Sequence, residues 1–415
     1  MIQQSASAAS KAPIATSLPN VTPLSFYRWM IVSIAVLSNV LNFLDRQVLA
    51  SVAPTLKTDF HISNTEYGLV ISAFSLIYAM TTPFAGLFID RVGLRLGIFA
   101  AVTLWSVSSA ATAFVNGLKG LLFTRATLGF GEAAGLPFLS KANASYLPQS
   151  EWGLAQAAGS VTVTLGSILA PLLVAFMSPR YGWRSVFIVC GVFGLLWIAL
   201  WYLTKYVPSG RPLQTTAETP PLRQVLSDRR LWWLAASYAL VLTVLILWLN
   251  WTTIYLVREF HLTQTEANRY FTWIPPLFAP VGSLFNGWLT FRWIRKGRDG
   301  IAARTRLAVL CAPLFLATAA VPFLPSAGWS VIAVGLGMFA AQSVVSSLNI
   351  LPIDLFGPGR AAFTMSILGC SYSLMQALVS PLIGLSVDHF GFAAVCWAAT
   401  ILPLLGTWTM RRAVA

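Results

Sequence analysis

Twelve long apolar runs limit what this chain can fold into. They lie near residues 28–54, 64–89, 94–115, 117–146, 150–177, 182–204, 229–257, 264–293, 301–324, 327–356, 359–387 and 391–410. Each reaches the roughly 20 residues that a helix needs to cross a bilayer. Of the 415 residues, 57% are apolar and 10% charged, whereas a soluble domain carries roughly 45–50% and about 25%. The surface must therefore face lipid. The sequence predicts an all-α membrane protein of twelve transmembrane helices, spans one to twelve.

A net charge of +14 would point to nucleic acid in a soluble protein. Here the basic residues sit in short connections between apolar runs, so they are topology signals and no nucleic-acid partner is expected. With both termini cytoplasmic, 19 of the 27 Lys and Arg fall inside and two within the membrane; six (Lys57, Lys119, Arg180, Arg184, Arg258 and Arg269) fall outside. That bias predicts a multi-pass protein of the cell inner membrane in this orientation. Residues 1–25, rich in Ser, Ala and Pro, read as a disordered cytoplasmic tail rather than a cleaved signal peptide. Cysteines 190, 311, 370 and 396 fall inside spans without metal-ligand spacing, and histidines 61, 261 and 389 are scattered in outer loops. No metal site is expected. With no nucleophile and base pair and no phosphate-cradling loop, a membrane enzyme is the least favoured class.

A polar stretch at 205–228, containing Ser209, Gly210, Pro212, Pro220 and Pro221, divides the chain into a six-span bundle at 26–204 and another at 229–415. It reads as a cytoplasmic linker. Gly135-Leu136-Pro137 in span four parallels Ile350-Leu351-Pro352 in span ten, and Ala170-Pro171-Leu172 in span five parallels Ser380-Pro381-Leu382 in span eleven. A third match sets Gly86-Leu-Phe-Ile-Asp90-Arg91-Val-Gly93-Leu-Arg95 after span two against Gly287-Trp-Leu-Thr-Phe291-Arg292 after span eight. Together they predict two pseudo-symmetric six-helix bundles with a substrate site between them.

The pattern GxxxDRxGxR in the loop after span two resembles the loop signature of the major facilitator superfamily. That resemblance implies a conformational latch of Gly86, Asp90, Arg91, Gly93 and Arg95, in which the carboxylate pairs with an arginine and a neighbouring helix end. A carboxylate there gains charge-assisted bonds and loses them when helices separate. The second half has Phe291 in place of the acid, so any latch there is weaker or built differently.

Four ionisable residues remain inside apolar helices: Asp45 and Arg46 in span one, Arg125 and Glu132 in span four. A charge at the bilayer centre costs roughly 2.5–3.5 kcal/mol on insertion scales, so such residues pair with one another and line a pathway. Arg125 and Glu132 are almost two turns apart on one face, about 10 Å along the axis. Gly129, Gly131 and Gly135 leave span four thin, and the 131/135 spacing permits close helix approach. The competing reading is that Arg46 and Glu132, or Asp45 and Arg125, form buried ion pairs that only pin helices together. It is disfavoured because an apolar pair would usually pack as well.

The run Leu41-Asn-Phe-Leu-Asp45-Arg46, with Ser72-Ala-Phe-Ser-Leu-Ile-Tyr78 and Arg125 through Gly131-Glu132, resembles the anion:cation symporter family within that superfamily. The resemblance covers nearly the whole chain and is strongest over 40–190. It implies that Arg46 and Tyr78 hold the substrate, that Asp45 and Glu132 take up protons, and that Arg125 pairs with Glu132 or modulates it. Residue chemistry agrees: an arginine fork matches a carboxylate and stays charged, whereas a desolvated carboxyl group can exchange a proton. Trp251, Tyr255, Asn349, Ser371 and Gln376 complete the candidate substrate site from the second half. In Trp251-Thr-Thr-Ile-Tyr255-Leu256 the family's proline is replaced by Thr253, Thr162 stands where sugar-acid carriers often present an amide, and Cys370 and Ser371 occupy the polar stretch of span eleven. Pro275, Pro276, Pro280 and Gly282 predict a kink or break in span eight.

The expected function is proton-coupled symport of a small organic anion, a sugar acid such as a hexuronate or aldonate, by alternating access. The proton is the coupling ion, no other cofactor is expected, and the unit is a monomer in lipid. The alternatives are an exporter of drugs or metabolites, disfavoured for cationic cargo by two buried arginines, and a non-transporting sensor. A green fluorescent protein fused to the C terminus is expected to fluoresce, and an alkaline phosphatase fused there to stay inactive; the opposite pair of results would invert the orientation.

Overall fold

The computed structural model describes residues 23–147, 151–204 and 222–414. The expected tail as far as residue 22 and the expected linker at 205–221 lie outside the described residues; Leu222–Ser227 is a short helix leading into the second bundle. The described residues form helices that make twelve passes. Spans one to three are Pro23–Phe60, Asn64–Val92 and Leu94–Thr112. Span four is Leu118–Glu132 and Gly135–Tyr146, span five Trp152–Tyr181 and span six Trp183–Leu203. Span seven is Arg229–Val241 and Thr243–Phe260. Span eight is Gln264–Tyr270, a short turn of 3-10 helix, and Phe278–Arg295. Span nine begins with Gly300–Cys311 and reaches Phe323 in short pieces around Pro313 and Pro322. Span ten is Ala327–Leu348 and Leu351–Phe356. Spans eleven and twelve share the run Pro358–Val414, bent at Gly391 with φ 72°.

Nine of the described helical runs are long and apolar enough to cross a membrane, and one of these, 363–414, contains both spans eleven and twelve. Spans four and eight, whose pieces are each too short or not apolar enough for that, complete the twelve. Span eight is broken where its prolines predict. Spans four and ten share a subtler interruption, at Ala133–Ala134 and at Asn349–Ile350. Pro137 and Pro352 lack the amide that would bond back four residues, to Ala133 and Leu348, so each helix loses its hydrogen bond at the same relative place. The matched tripeptides thus mark matched breaks, which makes the internal duplication a property of the backbone as well as of the sequence.

Small residues set how closely the spans approach. A methyl group added at Gly129 would lie 2.5 Å from the Phe74 carbonyl oxygen of span two, and one at Gly131 would lie 2.9 Å from the Trp105 amide of span three. Gly166 of span five packs on Phe43 and Leu44 of span one, where an added methyl would lie 2.7 Å from Phe43 Cβ. The cysteines are free, Cys190, Cys311 and Cys396 being buried, and no cluster of metal-ligating residues occurs among the described residues.

Between the halves the described bonds run from mid-membrane to the end expected to face outward. The Thr55 amide donates to Gln264 Oε1 (3.0 Å), Asn268 Nδ2 to the Ser51 carbonyl (2.8 Å), and the Tyr67 hydroxyl to the Asn250 carbonyl (3.1 Å). The Ser72 hydroxyl donates to the Ala377 carbonyl. This outer seam closes the interior from that side. Gly129→Leu is expected to push spans two and four apart and to cost about 1–3 kcal/mol of stability, read as a lower melting temperature of the purified protein in detergent.

Candidate functional site

The four intramembrane charges gather in the first bundle, and two of them reach the boundary between the bundles. Arg46 Nε donates to Glu132 Oε2 at 2.5 Å, with the arginine side chain 20% exposed and the glutamate fully buried. The guanidinium also lies on three rings, Phe43, Phe74 and Tyr78, at 5.0, 4.7 and 4.6 Å from their centroids. Cation–π contact compensates part of the lost hydration and fixes the plane of the fork. Span four supplies Glu132 from the last turn before its break, and the closeness allowed by Gly129 brings span two near enough for Phe74 and Tyr78 to cover the arginine.

Asp45 points the other way, into the bundle. Its Oδ1 accepts from the Ser109 hydroxyl at 2.7 Å, it is 2% exposed, and the Cys190 thiol lies beside it. Arg125 is buried as deeply. Its Nη2 donates to Thr112 Oγ1 at 3.3 Å and its guanidinium lies 5.3 Å from the centre of the Phe187 ring. Both acids are within electrostatic range of Arg125, yet among the described residues it forms no ion pair. Of the two roles open to Arg125, pairing with Glu132 or modulating it, the structure contains no direct pair, because almost two turns of helix separate 125 from 132; Arg46 holds that carboxylate, one of the two ion pairs the sequence offered. Arg125 Nε and Glu132 Oε1 are both buried without a hydrogen-bond partner among the described residues. Buried polar atoms are rarely left so, and these two retain capacity for a proton or a ligand.

A cavity of about 50 Å³ lies between the bundles, lined by Phe43, Arg46, Gln47, Arg125, Asn250, Tyr372 and Gln376 among others. Ligand pockets run to about 300–1,000 Å³, so this one has room for a water molecule or two and must widen to accept a ligand. Arg46, Arg125 and Gln376 line it as expected. Tyr78 reaches it through the guanidinium it covers. Trp251 and Tyr255 do not line it: Trp251 is buried against Tyr67 in the outer seam, with ring centres 5.2 Å apart, and the Tyr255 hydroxyl donates to the Val321 carbonyl inside the second bundle at 3.0 Å. Ser371 bonds back to Leu368 and across to Ala235 of span seven. Asn349 sits at the break in span ten, its Oδ1 buried without a partner among the described residues. Thr162 donates to the Gly159 carbonyl and Thr253 to Asn268, so both substituted positions are engaged in helix packing. A larger cleft of about 490 Å³ between spans two, three and four, lined by Met80, Phe84, Phe88 and Phe130, carries no charge and faces lipid.

At the expected cytoplasmic latch, Gly93 separates spans two and three with φ 91°, a conformation that favours glycine. Gly86 packs toward Pro137, and Arg91 is exposed. Arg95 donates to the Tyr202 and Thr204 carbonyls at the end of span six, both at 3.3 Å. The side chain of Asp90 lies outside the described residues. In the second half Arg304 pairs with Asp354, a differently built link between spans nine and ten.

Sequence reasoning missed Gln47, which follows the charged pair by one residue, and the hydroxyls of Ser109 and Thr112. The pairs Ser108-Ser109 and Ala111-Thr112 on one face of span three carry a signal only if that face is known to meet spans one and four. A double-mutant cycle of Arg46→Met and Glu132→Gln is expected to give a coupling of about 0.5–3 kcal/mol, read from the melting temperatures of the four proteins.

Comparison with known proteins agrees with the fold. The sequence profile described as Major Facilitator Superfamily matches residues 35–379. A hexuronate transporter of Escherichia coli (strain K12) is 27% identical over 92% of this chain and 94% of its own length. A D-galactonate transporter of Escherichia coli O6:H1 is 28% identical over 91% and 88%. A crystal structure of a bacterial homologue of the human lysosomal transporter Spinster, inward-facing and occupied, superposes with a TM-score of 0.76 at 20% identity, covering 94% of this chain and 97% of that one.

Proposed function

The chain belongs to the major facilitator superfamily, and we propose that it carries a small organic anion, a sugar acid of the hexuronate or aldonate kind, together with protons across the cell inner membrane. The observation that carries this reading is the Arg46 guanidinium, facing the cavity while its Nε is bound to a fully buried carboxylate. The relatives' named cargoes, hexuronate and galactonate, are acids of this kind.

Arg46 already has an anionic partner, and removing the partner of a buried ion pair costs about 3–5 kcal/mol, so any exchange must replace one anion with another. In the cargo-free protein that partner is Glu132. When cargo arrives, its carboxylate meets the remaining fork donors of Arg46, and Glu132 takes up a proton. One anion and one proton enter the site together, and its net charge does not change. Asp45 is a second acid within electrostatic range of Arg125, and its protonation would weaken that attraction. Gln47, Asn250, Tyr372 and Gln376 offer amides and a hydroxyl from both bundles to the hydroxyl groups of a sugar acid. Because those residues come from opposite halves, closure around cargo and exposure to one side are linked, which is the requirement for alternating access.

In proteoliposomes under an imposed pH gradient, Asp45→Asn and Glu132→Gln are each expected to abolish concentrative uptake of hexuronate or aldonate, while Glu132→Gln retains counterflow exchange. Full accumulation by both variants would remove the proton from the mechanism. Arg46→Ala is expected to weaken binding by about 30-fold or more, from the roughly 2–5 kcal/mol associated with truncating a buried charged contact. The measurement is the thermal shift produced by each acid.

A further inference from the structure

One feature of the chain lies outside the cargo site. Residues 59–66, Asp-Phe-His-Ile-Ser-Asn-Thr-Glu, and residues 259–266, Glu-Phe-His-Leu-Thr-Gln-Thr-Glu, match type for type, 200 residues apart. Each closes the first span of a bundle and opens the second, at the outer end. The structures repeat too. His61 and His261 both take left-handed backbone, φ 51° and 54°. Ser63 with Glu66 and Thr263 with Glu266 each form a reciprocal capping box. The Thr263 amide and hydroxyl donate to Glu266 Oε2 at 2.9 and 2.7 Å.

The capping box leaves two amides of span two unserved, those of Asn64 and Thr65. Both are taken by a residue of the other bundle, Asp388 at the outer end of span eleven. Asp388 Oδ1 accepts from the Asn64 amide (3.2 Å) and Asn64 Nδ2 (2.7 Å), and Oδ2 from the Thr65 amide (2.9 Å) and hydroxyl (2.8 Å). Lys57 donates to Asn64 Oδ1, which turns the amide NH2 toward the acid. Arg258 Nη1 donates to the Val387 carbonyl at 2.9 Å and fixes the end of span eleven. Below the cap, Gly68 meets the Ser380 carbonyl and Gly384 the Asn64 carbonyl so closely that neither position has room for a methyl group. The second copy also crosses between bundles, through Gln264 and Asn268 to span one.

We propose that the duplicated segments form the outer gate and that Asp388 is its latch, capping the first turn of span two across the bundle boundary whenever the outside is closed. Opening outward returns two backbone amides and a carboxylate to water, so the latch favours the closed outer face without locking it. Asp388 is solvent-exposed, which keeps the interaction weak enough to break in each cycle. The latch exists once. The residue at the corresponding place in the first bundle, three before the positive-φ glycine Gly182 as Asp388 is three before Gly391, is Pro179, which has no acceptor side chain to offer span eight. The inference concerns the balance of conformations and is independent of the cargo's identity.

Spin labels on cysteines replacing Asn116 and Ser326, exposed outer-loop residues of the two bundles, in a Cys370→Ser background, report outer opening as a distance distribution without added cargo. Asp388→Ala is expected to raise the ratio of the long-distance to the short-distance population about fivefold, the order of one lost helix cap. Asp388→Asn, which keeps an acceptor, is expected to raise it less. Glu66→Ala breaks a cap within one bundle and is expected to lower the melting temperature while leaving the distances as in wild type. An unchanged distribution in Asp388→Ala, or an equal shift in Glu66→Ala, would overturn the proposal.

Discussion

The arginine of span one organises the first bundle. Arg46, a guanidinium within the membrane-spanning helices, finds an anion in Glu132 and a surface that tolerates it in the rings of Phe43, Phe74 and Tyr78. These partners come from spans one, two and four, so satisfying one charge fixes the relative placement of three helices. Gly129 makes this possible by letting span four meet the backbone of span two at Phe74. The break after Glu132, imposed by Pro137, ends the regular helix beside the ion pair. Packing, charge and helix interruption thus converge on one short stretch of span four.

The two bundles are copies that have diverged where transport chemistry requires it. Spans four and ten break at the same place, the outer ends of spans one and seven carry the same eight-residue cap, and spans five and eleven lead into their successors through glycines of matching φ. The charges are not duplicated. Asp45, Arg46, Arg125 and Glu132 have no counterparts in the second bundle, which supplies Asn250, Tyr372 and Gln376 to the cavity instead. One half therefore holds the ionic chemistry and the other offers neutral hydrogen bonds, and a ligand between them is held from both sides.

Much of this was legible in the sequence because lipid is a severe solvent. Runs of about 20 apolar residues have few alternatives to spanning helices, and the four charges within them stood out for the same reason. Pro275 and Pro276 announced the break in span eight. The matched tripeptides of spans four and ten were read only as a sign of duplication, and the break that each proline causes came from the structure. Trp251 and Tyr255 were read as cavity residues and lie elsewhere, one in the seam between bundles and one inside the second bundle. The face a residue presents depends on helix rotation, which an almost uniformly apolar helix does not encode.

The sequence by itself determined that the chain spans the membrane twelve times, that it is duplicated, and that two acids and two arginines must be reconciled inside it. Only the tertiary structure decided between the pairings the sequence left open, giving Glu132 to Arg46 and not to Arg125, and that Asp45 turns to Ser109 and Asp388 reaches the start of span two. Hydropathy and helix-breaking act over a few neighbouring residues and can be read along the chain. Each of these pairings joins residues 64 to 324 positions apart, and is set by how rigid helices rotate and lean against one another.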